Sequence, residues 1–402
     1  MKRFITLALL LSVLINACAP EAQVTQVPEL IQPTATPMGT EEPQVQPLAL
    51  ETPQGTPLPP AIDAPLIESP SILNIEMLDE VFGWAVTEED IIRTNDGGAT
   101  WYDVTPPDLV DAGYLVFIDI LDAERAWVQS PDMNRYPNGG MLYRTRDGGL
   151  TWETFDTPFS GGSIHFLDEN NGWVMADLGV GAGSMAVSIF KSADGGATWD
   201  RVYTNDPNLE GAGESLPLGG IKNFILPLDG TTAWVGGVIY APGAVYLYRS
   251  GDGGNTWSNI ELVLPEGSAE SELNVVDIEF ISPTDGLLAI RKSAETPEIL
   301  VYRTTDGGNT WDRMDVDFTG YGILETPSSA ELIFYAADQF YVTNDAGATI
   351  RQVTPDIPFG TSIVDMSFVN SQTGWVVFAD ANGMRILYKT TDSGATWIQQ
   401  AP

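Results

Sequence analysis

A chain of 402 residues with 43% apolar side chains can bury a sizeable core. Its 18 Lys and Arg stand against 55 Asp and Glu, a formal charge of −37, and so acidic a surface excludes nucleic-acid binding. A single histidine and a single cysteine exclude an intrachain disulfide and argue against a zinc cluster or a His-based nucleophilic triad.

The chain opens with Lys2 and Arg3 followed by an apolar run from Phe4 to Ile15. That run suits a signal-peptide core and is too short to span a membrane as a helix. It ends in Ile15-Asn16-Ala17-Cys18, which resembles a bacterial lipobox. The resemblance implies a leader over 1–17, cleavage before Cys18 and a diacylglyceryl thioether on its sulfur. Residues 18–70 read as a linker, with twelve prolines among 19–70 and no apolar periodicity. Its reach lies between roughly 40 Å as a coil and about 160 Å extended, a stalk between membrane and head.

From residue 71 to 402 one pattern repeats. TNDGGATW (94–101), TRDGGLTW (145–152), SADGGATW (192–199), SGDGGNTW (250–257) and TTDGGNTW (304–311) are near-copies, and TNDAGATI (343–350) and TTDSGATW (390–397) are looser ones. Their aspartates, Asp96, Asp147, Asp194, Asp252, Asp306, Asp345 and Asp392, fall 39 to 58 residues apart, the spacing of propeller blades. Ahead of each lies a second element: Gly83-Trp84-Ala85-Val86, Ala126-Trp127-Val128, Gly172-Trp173-Val174, Ala233-Trp234-Val235, Gly286-Leu287-Leu288, Glu331-Leu332-Ile333 and Gly374-Trp375-Val376. Another apolar stretch precedes each of these, for example Ile72–Leu78, and a third leads into the box. Every repeat therefore predicts four short strands, and seven repeats predict an all-β, seven-bladed propeller.

The repeated turn resembles the Asp-box, or BNR repeat. Its glycines permit the positive φ of a tight hairpin, and its aspartate can bind nearby backbone N–H groups. The tryptophan opening the fourth strand is expected to bury its ring. Six tryptophans belong to these turns and the other five to the second strands, which leaves none for an aromatic sugar platform. Arg93, Arg144, Lys191, Arg249, Arg303 and Lys389 precede the Ser or Thr of a box and read as a polar strand face. His165 reads as a residue of an inner strand, and the sequence offers no catalytic, metal or cofactor site.

The combined unit, an apolar strand, then G-W-x-V, then T-x-D-G-G-x-T-W, resembles the photosystem II assembly/stability factor family over roughly 71–402. The resemblance implies a seven-bladed, extracytoplasmic, often lipid-anchored protein acting as a scaffold or assembly chaperone. That family's arginine patch maps to no residues of this chain. The alternative is a glycoside hydrolase of sialidase or xyloglucanase type, but the Arg-Ile-Pro motif of sialidases is absent, and xyloglucanases close their cleft between two propellers. Sortilin-like receptors share the box but carry cysteine-rich companions.

In a four-stranded blade, the connections from strand two to three and from strand four to the next blade share one face. The long irregular segments fall there: Ser130–Gly140, Asp177–Val187, Tyr203–Gly220, Val238–Val245, Leu264–Asn274 and Arg291–Glu298. Binding residues concentrate on variable loops held by a rigid frame. Arg135, Tyr136, Tyr240, Arg291 and Lys292 are accordingly the candidate contacts, for a protein or envelope component. The expectation is a monomer on the outer face of a bacterial membrane, or periplasmic or cell-surface, held by its lipid.

Overall fold

The computed structural model describes residues 62–109, 112–316 and 318–400. The leader, Cys18 and the linker to residue 61 lie outside the described residues.

The described chain folds as an all-β propeller of seven antiparallel blades. The first comprises Asn74–Met77, Gly83–Val86, Ile91–Thr94 and Trp101–Asp103, in that order outwards. The remaining second strands are Ala126–Pro131, Gly172–Gly181, Ala233–Val238, Gly286–Lys292, Glu331–Ala336 and Gly374–Ala379. All seven begin on the first residue of the predicted element. Blades four and five are fused into one sheet where Val238 pairs with Asn274. Leu66–Ile67, which composition assigned to the linker, adds a short fifth strand beside Trp101–Asp103. Among the described residues, helix is limited to Ala112–Leu115 and a single 3-10 turn, Ser268–Glu270.

The repeat is built to pack one blade on the next. A Cβ on Gly172, Gly286 or Gly374 would lie within 3 Å of Phe166, Phe280 or Phe368, the phenylalanine ending the preceding inner strand. The missing side chain makes room for that ring. For Phe166 and Phe280 the ring in turn meets the previous blade's second-strand tryptophan. Trp127 stacks on Phe166 at 3.8 Å between centroids, and Trp234 lies 4.6 Å from Phe280. All five second-strand tryptophans are fully buried. Of the turn tryptophans, Trp101, Trp257, Trp311 and Trp397 are buried as expected, whereas Trp152 and Trp199 are only half-buried.

Among the described residues, blade seven consists wholly of C-terminal strands, Ile363–Phe368 to Ile398–Gln399, with no strand exchanged to close the ring. Side chains close it instead. Asp365 accepts the Ile75 N–H at 2.8 Å, Ser367 Oγ accepts the Met77 N–H at 2.9 Å, and the Trp375 indole donates to the Gly97 carbonyl at 2.8 Å. An apolar cluster that includes Ile75, Met77, Trp101, Trp375 and Leu387 fills the same seam.

Candidate functional site

The seven repeated turns use their polar groups internally. In every copy the Ser or Thr hydroxyl donates to the aspartate Oδ1 at 2.8–2.9 Å and accepts the N–H of the second glycine position at 2.8–3.0 Å. The second Thr, or its equivalent, returns its N–H to Oδ1 and its hydroxyl to Oδ2. The N–H and hydroxyl of Thr310 hold the Asp306 carboxyl down at about 2. These seven carboxylates are spent on turn geometry.

The basic residue before six of the seven turns has a role that its periodicity did not disclose. In four blades it lies over the blade's own tryptophan, as with Lys191 on Trp173 at 4.2 Å and Lys389 on Trp375 at 4.5 Å, whereas Arg144 lies over Phe155. Four of these residues also reach the next blade's backbone. Arg93 donates to the Gly148 carbonyl, Arg144 to those of Asp194 and Gly195, Lys191 to that of Gly230, and Lys389 to that of Glu80. The last contact carries the clip across the closing seam. Arg303 departs from the pattern and pairs with Asp285 in its own blade.

His165 is buried, its Nδ1 3.3 Å from Asp119 Oδ1 on the neighbouring inner strand. Acidic side chains recur at such seams. Asp119 also accepts the Phe166 N–H, Glu325 the Phe368 N–H and Asp365 the Ile75 N–H. Burial raises the Asp365 carboxyl to about 7, and the charge of Glu325 acts in the same direction.

On the long-loop face the five candidates separate. Arg135 is exposed but ion-paired with Asp132 at 2.8 Å and Asp156 at 3.1 Å. Tyr136 and Tyr240 are exposed aromatic groups on blades two and four. Burial and the charge of Asp177 raise the Tyr136 phenol. Arg291 and Lys292 are not loop residues as expected, because the strand Gly286–Lys292 runs to its pairing with Leu273 and Asn274. Lys292 is a correction: it is 8% exposed and paired with Glu298 at 3.1 Å, so its charge is already spent. Arg291 is half-buried, its Nε without an acceptor, next to the exposed ring of Tyr321.

Two other segments differ from expectation. Asp177–Val187 is not a loop but the end of a long hairpin, Gly172–Gly181 with Ser184–Ser192, turning at Ala182-Gly183. The connection over residues 205–220 is fastened to the core by buried Leu216 and Asn205. Lys222 pins it from below, donating to the carbonyls of Met185, Leu218 and Gly220 at 2.8, 2.8 and 3.0 Å. Burial pulls the Lys222 ammonium down to about 8. An isolated lysine in an inner strand carries no local sign of this role.

No family model matches the chain. It is 27% identical over 271 residues to a xyloglucanase of Paenibacillus sp., a match covering 59% of this chain and 24% of that enzyme. This chain thus spans about a quarter of the xyloglucanase's length. It is 24% identical over 312 residues to the photosystem II assembly lipoprotein Ycf48 of Synechococcus sp. (strain CC9902), covering 70% of this chain and 84% of that protein. Among solved structures, Ycf48 from Cyanidioschyzon merolae superposes with a TM-score of 0.53 at 19% identity, over 81% of this chain and 97% of that one. A family PL25 ulvan lyase superposes with a TM-score of 0.50 at 14% identity, over 84% and 96%. These likenesses establish the propeller fold.

Proposed function

We propose that this chain is a binding propeller of the assembly-factor type. It meets a protein component of a membrane or envelope complex through its long-loop face, and a lipid on Cys18 holds it at the outer face of a bacterial membrane. The observation that carries this reading is the resemblance to Ycf48, which runs through 84% of that lipoprotein, whereas the xyloglucanase match spans 24% of the enzyme. The lipobox-like Ile15-Asn16-Ala17-Cys18 and the Pro-rich linker supply the anchor in this reading.

Two experiments test its parts. Tagged chain retrieved from solubilised membranes should bring down a defined protein partner, and an empty retrieval contradicts the reading. Cys18→Ser should shift the protein from the membrane fraction to the medium or to an unprocessed pool. Unchanged membrane attachment and processing contradicts the anchor.

The second reading, a glycoside hydrolase, is favoured by the 27% identity to the xyloglucanase. Turnover of xyloglucan or sialosides by the purified chain, abolished by substituting a single carboxylate, would establish it.

A further inference from the structure

The loops over blades three to five form one surface of unusual composition. Five segments contribute: 177–187, 205–220, 239–245, 260–272 and 293–297. They are joined by backbone bonds. The Gly220 N–H donates to Gly183 O and the Met185 N–H to Leu218 O; the Gly243 N–H donates to Ser271 O and the Ser293 N–H to Glu272 O, all at 2.8–3.0 Å. The Tyr240 ring lies against Gly183, joining blades three and four. The surface is therefore pre-formed.

It exposes apolar side chains that the fold does not use. Val180 is 58% exposed, Leu218 39%, Tyr240 62% and Val263 84%. Exposed apolar groups on loops that bond to one another point to an interaction site. The same five segments hold nine Asp and Glu, among them Glu210, Glu214, Glu270 and Glu272, and neither Lys nor Arg. Of the basic residues beside it, Lys222 is held by three carbonyls, Lys292 by Glu298 and Arg201 by the Glu210 carbonyl, and Arg291 is half-buried in its strand.

A third feature concerns the backbone. The inner strand Gly162–Phe166 pairs with the blade-three hairpin only as far as Ala176. Beyond the Asp177 N–H, which reaches Gly161 O, no strand among the described residues covers the inner edge of 178–181. A Cβ on Gly179 or Gly181 would meet only open space. The Gly179 N–H is taken by Asp177 Oδ1 at 2.7 Å, and beyond it such an edge offers main-chain groups to an extended segment.

We infer that this sector docks an extended, cationic polypeptide segment with apolar side chains between its basic residues. The free hairpin edge pairs with its backbone. Val180, Leu218, Tyr240 and Val263 receive its apolar groups, Tyr240 also stacks on a basic side chain, and the acidic loops match its charge. This assignment rests on the protein-binding reading and names the partner's chemistry.

The test titrates the full chain with three synthetic peptides: alternating Lys-Leu, alternating Lys-Ser and alternating Glu-Leu. The Lys-Leu peptide should bind, the Lys-Ser peptide more weakly, and the Glu-Leu peptide not at all. Tyr240→Ala should weaken Lys-Leu binding by about two- to fivefold, the size of one exposed cation–π contact. Glu270→Gln with Glu272→Gln should weaken binding and flatten its salt dependence. Glu124→Gln with Glu169→Gln, which removes two charges from the opposite face, should leave binding unchanged. Equal effects of the two charge pairs, or Glu-Leu binding that matches Lys-Leu, would overturn the assignment as non-specific attraction. Capture of a membrane partner that survives both Tyr240→Ala and the Glu270/Glu272 pair overturns this sector and leaves the protein-binding reading intact.

Discussion

Glycine performs two tasks in the repeated turn, and the copies that lack it show what each is worth. The turn places two consecutive residues at positive φ, as at Gly97 and Gly98. The second glycine also lies against a side chain of the preceding blade, a tryptophan in three copies, so that a Cβ on Gly308 would be 2.4 Å from Trp234. Blades six and seven put Ala346 and Ser393 at the first position with φ of 56° and 66°. A left-handed conformation costs an L-residue about 1–2 kcal/mol, against about 0.5–1 kcal/mol for the extra chain entropy of glycine. Ala346→Gly should therefore stabilise the protein by roughly 0.5–1 kcal/mol, read as a higher denaturation midpoint. A lower midpoint would show that the turn carries no such strain. These turns were legible in the sequence because every group that fixes them lies within eight residues. The burial of Lys292 was not, because its partner Glu298 faces it only after the strand has extended through pairing with Leu273.

Between strands and blades, the contacts that matter cross long stretches of chain. Arg144 is the clearest case, since it joins its own strand to carbonyls 50 and 51 residues further on. Arg144→Met keeps the aliphatic stem, removes those bonds together with the pair to Glu153, and should cost about 1.5–3 kcal/mol. Arg146→Met, which loses only an exposed pair with Glu153, should stay within about 1 kcal/mol of wild type. Equal costs for the two would mean that the clip between blades is decorative. The strand starts were read correctly in all seven blades because a small or polar residue opens each second element at a fixed offset ahead of the turn. The reach of the basic residues stayed hidden, because a one-per-blade period does not say what the next blade presents. The 205–220 connection shows the same limit. It looks like a free loop in sequence, yet Leu216, Asn205 and Lys222 tie it to the core, so shortening it should lower the melting temperature.

For the ring as a whole, closure by side chains leaves a seam sensitive to pH. Asp365 accepts the Ile75 N–H across it, and its carboxyl is raised to about 7 by burial and by Glu325, against about 3.9 in an unfolded chain. Between those values the folded state holds a proton that the unfolded state has released, so stability from this group falls as pH rises through the window. Asp365→Asn keeps an acceptor for Ile75 and removes the ionisation. Its melting-temperature gain over wild type should grow from pH 4 to pH 8 and vanish below about pH 4. A gain independent of pH would contradict this account of the seam. At the same scale, the two faces of the ring are unlike. One carries seven nearly identical turns, and the other carries the irregular loops with Tyr136, Tyr240 and Tyr321 exposed. The central claim is that a partner protein meets that second face. A photoreactive residue placed at Tyr240 and, separately, at Leu150 in a repeated turn tests it directly in intact cells. Crosslinking to a defined protein from position 240 and not from 150 is the predicted result. Crosslinking from 150 alone would contradict the choice of face, and no protein adduct from either position, together with turnover of xyloglucan, would contradict the binding function itself.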